Sequence, residues 1–272
     1  MSMKLMLVTS DIENIREAQK AGVDRIFFDL EYINKRERQH GRNTLILHNN
    51  IEEIPAIRKA CTQSELVVRI NALYPHSKQE IDTAIEYGAD IIMLPMVMDA
   101  EDVKILVNYV GGRAKVMPMI ETAQSLARID DILEVKGIDE IYIGLNDLHI
   151  SMGLTFMFEL LSGGLVEYVA EKIKKAGVKF GFGGVAKIGD GNLPAEAILA
   201  EHYRLGSNSV ILSRTFRNEV GDNKDRVDLE KEIIKIRDYE QKLSLWDKTE
   251  FEKNRLFVKK KVEEIVDNIN KR

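Results

Sequence analysis

Short apolar runs alternate with amphipathic stretches along most of this chain, and this alternation constrains its fold more than any other sequence feature. The runs RIFFDL, ELVVRI and DIIMLP are almost continuously apolar, without the polar alternation of a half-exposed strand. Strands of a parallel sheet have this composition because helices cover both faces of the sheet. We predict strands at Lys4–Thr9, Arg25–Asp29, Glu65–Asn71, Ile91–Pro95, Lys115–Ile120, Glu140–Gly144, Lys179–Gly183 and Ser209–Leu212.

The stretches between the runs carry signals of helix ends. Ser10 and Glu13 have the spacing of a capping box, which predicts a helix that begins after Ser10. Eight strands that alternate with helices predict an α/β fold, a (β/α)8 TIM barrel. A doubly wound open sheet is the alternative, but it usually has a glycine-rich turn after its first strand. Here that turn reads Thr9-Ser10-Asp11 and contains no glycine.

The pattern changes after Phe216. Two heavily charged helices follow, and each has apolar residues at helical spacing. The stripes comprise Leu229, Ile233, Ile236 and Leu243 in the first helix and Val258, Val262, Ile265 and Ile269 in the second. We predict a barrel catalytic domain over residues 1–216 and C-terminal helices over residues 217–272. These helices would pack on the barrel or on a partner subunit.

The amino-acid composition argues against several classes of binding partner and location. The net charge is −5, which argues against general affinity for nucleic acid or for an anionic membrane surface. The longest apolar runs are about six residues, against the roughly 18–20 that span a bilayer. The single cysteine, Cys61, fits a reducing compartment, and the N-terminal residues enter a strand without the apolar core of a signal peptide. We therefore expect a cytoplasmic protein rather than a secreted or membrane protein.

Catalytic groups of a TIM barrel lie at the C-terminal ends of its strands, and this rule selects a short set of candidates. These are Asp29, Glu31, Tyr32, Arg69, Asn71, Pro95, Glu121, Asn146, Asp147, Gly183, Gly184, Ser213 and Arg214.

Two carboxylates stand at the ends of neighbouring strands. Glu121 follows VMPMI and Asp147 follows IYIGLN. Two such oxygens at adjacent strand ends can share one hard cation, Mg²⁺ or Mn²⁺, and leave coordination positions for water and substrate. The alternative is that both residues cap the helices that follow them.

Arg69 closes the apolar strand VVRI and is predicted to direct its guanidinium into the barrel mouth. A planar guanidinium there suits a substrate carboxylate, which it can bind through two hydrogen bonds. The alternative is an ion pair with Asp29 or Glu31 from the adjacent strand end, and both arrangements can hold together.

Four phrases in order resemble the HpcH/HpaI aldolase/citrate lyase family over most of residues 4–216. FFDLE is similar to the acidic motif of the second strand, VVRIN to the arginine-bearing third strand, PMIET to the metal-glutamate motif, and IYIGLNDLHISMGL to the Gly-x-x-Asp-Leu motif. The resemblance implies a divalent-metal carbon–carbon lyase that cleaves or forms aldols of small 2-oxo acids through an enolate. It also implies a homo-oligomer, from dimer to hexamer, that exchanges C-terminal helices.

The resemblance implies roles for individual residues as well. Glu121 and Asp147 would bind the metal, and Arg69 would bind the substrate carboxylate or the developing enolate. The backbone after Pro95 and around Gly144 would line the substrate site. Asn146, Gly183 and Gly184 are further candidates for substrate binding.

The sequence departs from the family pattern at the expected base. The free-acid aldolase branch has Asp-Gly-Glu-His after the second strand and the citrate-lyase branch has Asp-Leu-Glu-Asp, whereas this chain has Asp29-Leu30-Glu31-Tyr32. A phenol with a pKa near 10 is a poor base at neutral pH. His149 is a substitute beside the proposed metal, and the polar segment after Ile33 offers further ones, namely His40, Arg42 and His48.

This departure leaves alternatives open. One is a CoA-thioester lyase like citrate lyase, which the Asp-Leu-Glu sequence favours. Another is a catalytically altered barrel that only binds its ligand. The glycine-rich segment 181–192, together with Arg214, suggests an anion site for a phosphate or a second carboxylate. The alternative for this segment is a flexible loop into a helix that starts near Pro194.

Overall fold

The chain folds into a closed barrel of eight parallel strands surrounded by helices, in a computed structural model that describes residues 2–33, 49–217 and 227–271. Each strand pairs with the next, and β8 pairs with β1 to close the barrel. The strands are β1 Lys4–Val8, β2 Arg25–Asp29, β3 Glu65–Arg69, β4 Ile91–Leu94, β5 Lys115–Ile120, β6 Glu140–Ile143, β7 Lys179–Val185 and β8 Ser209–Leu212. The TIM barrel predicted from the sequence is thereby confirmed, and the open sheet is excluded.

Helices follow the strands and cover the outside of the barrel. Those of the described residues are α1 Ile12–Lys20, α2 Ile54–Ala60, α3 Ser77–Glu86, α4 Ala100–Val110, α5 Ala123–Ala127, α6 Ile129–Leu133, α7 Leu145–Ser151, α8 Glu159–Ser162, α9 Leu165–Lys175, α10 Ala195–Leu205, α11 Leu229–Leu243 and α12 Lys248–Asn270. Short 3-10 turns lie at Ile51–Glu53 and Arg214–Phe216.

The predicted capping box at Ser10 is wrong by one residue. Asp11 is the N-cap of α1, and its carboxylate accepts a hydrogen bond from the backbone N–H of Asn14 at 2.7 Å. The Thr9 hydroxyl in turn accepts the N–H of Asp11, so the chain turns into the helix one residue later than predicted. A carboxylate at this position also interacts favourably with the positive end of the helix dipole.

The register of the strands explains why their sequences are apolar throughout. Phe27 and Val67 point into the barrel, where they pack with Met93 and Tyr142. Their neighbours Ile26 and Phe28, and Leu66 and Val68, pack outward against the helices. Both faces of each strand are therefore buried, as in parallel sheets generally.

The predicted apolar stripes of the C-terminal helices pack on the barrel within the same chain. The α11 stripe is buried throughout, and in α12 Val258 and Val262 are buried whereas Ile269 is exposed. Arg237 of α11 pairs with Asp24, which ties this helix to the bottom of the barrel. No helix of the described ranges is long and apolar enough to cross a membrane. The division of the chain at residue 216 stays a prediction.

A buried histidine behind β7 makes stability depend on pH. His202 of α10 stacks on Phe182 with 3.7 Å between ring centroids, and its Nδ1 lies 2.9 Å from the Ser207 hydroxyl. Burial lowers the pKa of His202 to about 3, whereas an unfolded histidine titrates near 6.5. The unfolded state therefore binds the extra proton between these values, so the contribution to stability is complete above pH 6.5 and decreases as pH falls.

We expect the free energy of unfolding to fall by up to about 1.4 kcal/mol per pH unit below pH 6.5 through this residue. His202→Gln should reduce this dependence, because glutamine does not titrate. Urea unfolding between pH 5 and 7.5 measures the slope. The matched control is His76→Gln, at an exposed position, and equal slopes in the two variants would contradict the assignment.

Candidate active site

A pocket of about 530 Å³ opens at the C-terminal ends of the strands. Its lining includes nine of the residues selected from the sequence, namely Arg69, Glu121, Gly144, Asn146, Asp147, Gly183, Gly184, Ser213 and Arg214. The pocket therefore brings together groups from five strand ends that are far apart in sequence.

Glu121 is held at the end of β5 with 2% of its surface exposed. Its Oε1 accepts the backbone N–H of Met96 at 2.8 Å. A Cβ atom at Gly144 would overlap Glu121 Oε2, so only glycine leaves room for the carboxylate at the end of β6. The N-caps of the following helices α5 and α7 are Thr122 and Gly144, so the structure does not support the capping alternative for Glu121 and Asp147.

Electrostatics couple the two carboxylates. Burial raises the pKa of Glu121 to about 8, and the charges of Asp147 and Glu31 act in the same direction. Arg69 and the Met96 N–H act in the opposite direction but do not cancel the shift. A divalent cation between Glu121 and Asp147 would compensate the repulsion that burial makes costly.

The carboxylates of Glu121 and Asp147 fit a hard cation that takes its remaining ligands from water and substrate. Within the described ranges, no group of three or more His, Cys, Asp or Glu side chains is arranged to hold a metal. Mg²⁺ and Mn²⁺ accept a site of one or two carboxylates completed by water and substrate oxygens. The pair Glu121 and Asp147 in an open pocket meets this requirement.

Arg69 is fixed at the end of β3 by two carboxylates from the neighbouring strand end. Its Nε and Nη2 donate to Asp29 at 2.9 and 2.8 Å, and Nη2 lies 3.3 Å from Glu31. The guanidinium also lies over the ring of Phe27, 5.2 Å from its centroid. Burial alone would lower the pKa of Arg69, but Asp29 and Glu31 hold it above its usual value. The predicted ion pair is present, and Arg69 also lines the pocket.

Other sequence candidates lie away from the pocket lining. Tyr32 is 55% exposed, and His149 is buried on α7 with its Nδ1 3.2 Å from the carbonyl of Leu145. Pro95 is outside the lining, but the next residue provides the N–H that Glu121 accepts. The roles proposed for these residues stay predictions. His40, Arg42 and His48 lie outside the described residues.

Met96 belongs to the backbone after Pro95, which the resemblance placed at the site, but its contact with Glu121 was not predicted. It has φ of 55°, a left-handed conformation that residues other than glycine seldom adopt. This conformation directs its N–H to Glu121. Nothing in the side chain marks this role, because the interaction uses the backbone alone.

The glycine-rich segment differs from its prediction in one respect. Strand β7 continues past Gly183 to Val185, with a register shift between Gly181 and Gly184. Gly183 has φ of 54°, and the Tyr142 hydroxyl donates to its carbonyl at 2.6 Å. Helix α10 begins directly after Pro194. The anion site in this segment stays a prediction.

Asn71 fixes the backbone that follows Glu31. Its Oδ1 accepts the N–H groups of Tyr32 and Ile33 at 3.0 and 3.1 Å. Its Nδ2 donates to Glu80 of α3 at 2.7 Å. Because Asn71 and Glu80 are both buried, their hydrogen bonds are shielded from water.

We expect Asn71→Ala to lower the free energy of unfolding by about 1–3 kcal/mol, because the buried Glu80 and the backbone N–H groups of Tyr32 and Ile33 lose their hydrogen bonds. Urea unfolding measures the change. Gln79→Ala, an exposed change on the same helix as Glu80, is the matched control. A loss no larger than that of the control would show that the Asn71 contacts do not stabilise the fold.

Comparisons with known proteins identify relatives of this chain. A pyruvate kinase from Methylorubrum extorquens is 32% identical over 97 residues, which are 36% of this chain and 20% of that protein. A hydroxypyruvate/pyruvate aldolase from Rhizorhabdus wittichii is 34% identical over 79 residues, which are 26% of this chain and 32% of that protein. The chain thus spans about a fifth and a third of the length of these two curated relatives.

Structure and family comparisons cover more of the chain. The solved HpcH/HpaI aldolase from Desulfitobacterium hafniense DCB-2 has the same fold, with a TM-score of 0.58 at 18% identity over 78% of this chain and 86% of that one. The profile of the family described as HpcH/HpaI aldolase/citrate lyase matches residues 4–186, which contain β1 to β7 and the pocket carboxylates. The chain therefore belongs to the HpcH/HpaI aldolase/citrate lyase family.

Proposed function

We propose that this chain is a divalent-cation-dependent carbon–carbon lyase that cleaves or forms aldols of a small 2-oxo acid. The observation that carries the proposal is the buried carboxylate of Glu121, with Asp147 and the guanidinium of Arg69, in one pocket. The family assignment and the name of the Rhizorhabdus relative, which refers to pyruvate, support the same class of reaction.

In this proposal Glu121 and Asp147 hold Mg²⁺ or Mn²⁺. When bound, the cation supplies positive charge to the oxygens of the 2-oxo acid as the carbon–carbon bond breaks. Arg69 binds the carboxylate or the developing enolate oxygen, and Asp29 and Glu31 fix its orientation from behind.

The remaining site residues position substrate and protons in this proposal. Asn146 and the backbone of Gly183 and Gly184 bind substrate at the pocket wall. In the cleavage direction, the bond between C3 and C4 of a 4-hydroxy-2-oxo acid breaks, the hydroxyl loses its proton and C3 gains one. The candidates that accept and return this proton are His149 and the residues from Asp29 to Tyr32.

Exchange of pyruvate protons for solvent deuterium tests the proposal without knowledge of the true substrate. We expect NMR to show deuterium entering the methyl group in the presence of Mn²⁺ and no exchange after chelation. Exchange that is unaffected by chelation would refute the cation requirement. Binding of Mn²⁺ without exchange would instead favour the ligand-binding barrel, an alternative for which the exposed Tyr32 is the specific observation.

We also propose that the chain assembles into a homo-oligomer. Helix α12 exposes Leu256 and Phe257, as well as Ile269 at the end of its apolar stripe, which supports a homo-oligomer between dimer and hexamer formed through the segment 217–272. Sedimentation of the full chain tests this assembly, and a monomer at micromolar concentration would contradict it.

A further inference from the structure

The pocket that contains the carboxylates has a second, apolar part. Phe156, Met157 and Phe158 line it from the segment between α7 and α8, and Leu193 lines it from the segment between β7 and α10. Ile211 of β8 adds a further apolar contact surface. The polar groups proposed to bind the 2-oxo acid therefore account for only part of the lining.

This apolar lining is held in place by the surrounding structure. The rings of Phe156 and Phe158 meet edge to face with 5.4 Å between centroids. The carboxylate of Glu159 accepts the backbone N–H of Phe156 at 2.7 Å, which fixes the chain that carries this ring. Phe158 and Leu193 are buried in the main core. Because the lining is pre-formed, a ligand that binds there loses little affinity to rearrangement.

The size of the pocket also exceeds the needs of a three-carbon acid. Pockets of about 300–1,000 Å³ enclose ligands of drug size, and this one measures about 530 Å³. A charged or strongly hydrated group against the phenylalanines would lose hydration without a compensating hydrogen bond. An apolar group there would gain about 25 cal/mol for each Å² removed from water. The chemistry of the lining thus selects an apolar substituent.

We propose that the carbonyl partner in this pocket is an aldehyde with an aryl or comparably bulky apolar group, which packs against the partly exposed side chains of Phe156 and Met157. This inference rests on the proposed lyase function and specifies its substrate class. In the addition direction, the pyruvate methyl carbon bonds to the aldehyde carbon, and one methyl proton is transferred in net terms to the aldehyde oxygen. Cleavage reverses both changes, and no oxidant or reductant is needed.

Competing aldehydes test the inference. The full chain with Mn²⁺ and pyruvate is offered benzaldehyde, succinic semialdehyde or glycolaldehyde, and kcat/KM is measured for each. We expect benzaldehyde to exceed the other two by about 10–100-fold, the range that apolar pocket contacts provide. Preference for succinic semialdehyde would overturn the inference in favour of an anion site, and preference for glycolaldehyde would overturn it in favour of a small hydrated partner.

Substitution of Phe156 tests whether the apolar lining causes the preference for benzaldehyde. Phe156→Ala is expected to lower the ratio of kcat/KM for benzaldehyde to that for glycolaldehyde about tenfold, and Phe156→Leu is expected to restore most of it. The control is Tyr168→Ala, which removes an exposed ring on α9 and should leave the ratio unchanged. An unchanged ratio in Phe156→Ala would overturn the inference.

Pyruvate exchange in the unmodified protein separates the two proposals. Exchange without a preference for benzaldehyde overturns the substrate class and leaves the lyase function intact. Absence of Mn²⁺-dependent exchange removes the lyase function, and the inference that rests on it is then overturned as well.

Discussion

Glu121→Gln is expected to lower Mn²⁺-dependent deuterium exchange into pyruvate by about 10³-fold. The amide has nearly the same shape, so it keeps the space beneath Gly144, but it does not supply the negative charge that would hold a cation beside Asp147. Without the cation, the transition state would lose about 4 kcal/mol of stabilisation, which corresponds to this factor. NMR exchange at saturating pyruvate measures it. The matched control is Glu134→Gln, the same change at an exposed position, and activity equal to this control would refute the proposed ligand.

The raised pKa of Glu121 adds a pH dependence to cation binding. Below about pH 8 this carboxyl group holds a proton, which a cation must displace. Affinity for Mn²⁺ is therefore expected to rise with pH up to about 8, by about tenfold per unit if one proton is released. Calorimetric titration at pH 6.5, 7.5 and 8.5 measures the slope. Glu121→Gln should bind weakly at all three values, and a flat profile in the unmodified protein would contradict the mechanism.

The barrel was predictable because burial on both faces leaves a direct mark on sequence. Phe27 and Phe28 are both apolar since one faces the barrel interior and the other faces the helices. The same logic located Glu121 and Arg69, because a charged residue at the end of an otherwise apolar strand must lie at the barrel mouth. The strand boundaries differ from the predicted ones by at most two residues, and β7 is the strand that extends beyond its predicted end, to Val185.

Other features of the site depend on contacts that sequence spacing does not encode. Ser10 and Asp11 are both good helix caps, and the choice between them follows from the hydrogen bond between Thr9 and the Asp11 N–H. Met96 contributes a backbone N–H in a left-handed conformation. The ring of Phe156 reaches the pocket through the path of a connecting segment, which no periodicity describes.

Arg69→Met is expected to destabilise the fold by about 3–5 kcal/mol, the cost of removing the cation that pairs with buried carboxylates. Asp29 is 3% exposed and Glu31 is 1% exposed, so water cannot replace the guanidinium. Urea unfolding at pH 7.5 measures the loss. The control is Arg255→Met on α12, where the partner Glu252 is exposed and a much smaller change is expected. Equal losses of unfolding free energy in the two variants would show that the buried ion pairs of Arg69 stabilise the fold no more than the exposed pair of Arg255 does.

Two further variants separate the structural role of Arg69 from its proposed chemical role. Adding Asp29→Asn to Arg69→Met removes one of the two buried carboxylate charges that Arg69 neutralises and should recover part of the lost stability, but not the exchange activity. Arg69→Lys keeps the positive charge and loses the paired geometry toward Asp29. We expect it to remain folded while exchange falls by about 10²-fold, as for a misplaced hydrogen-bond donor at a developing oxyanion. If Arg69→Lys exchanged deuterium at the unmodified rate, Arg69 would serve only to neutralise Asp29 and Glu31, and the substrate carboxylate would need another partner.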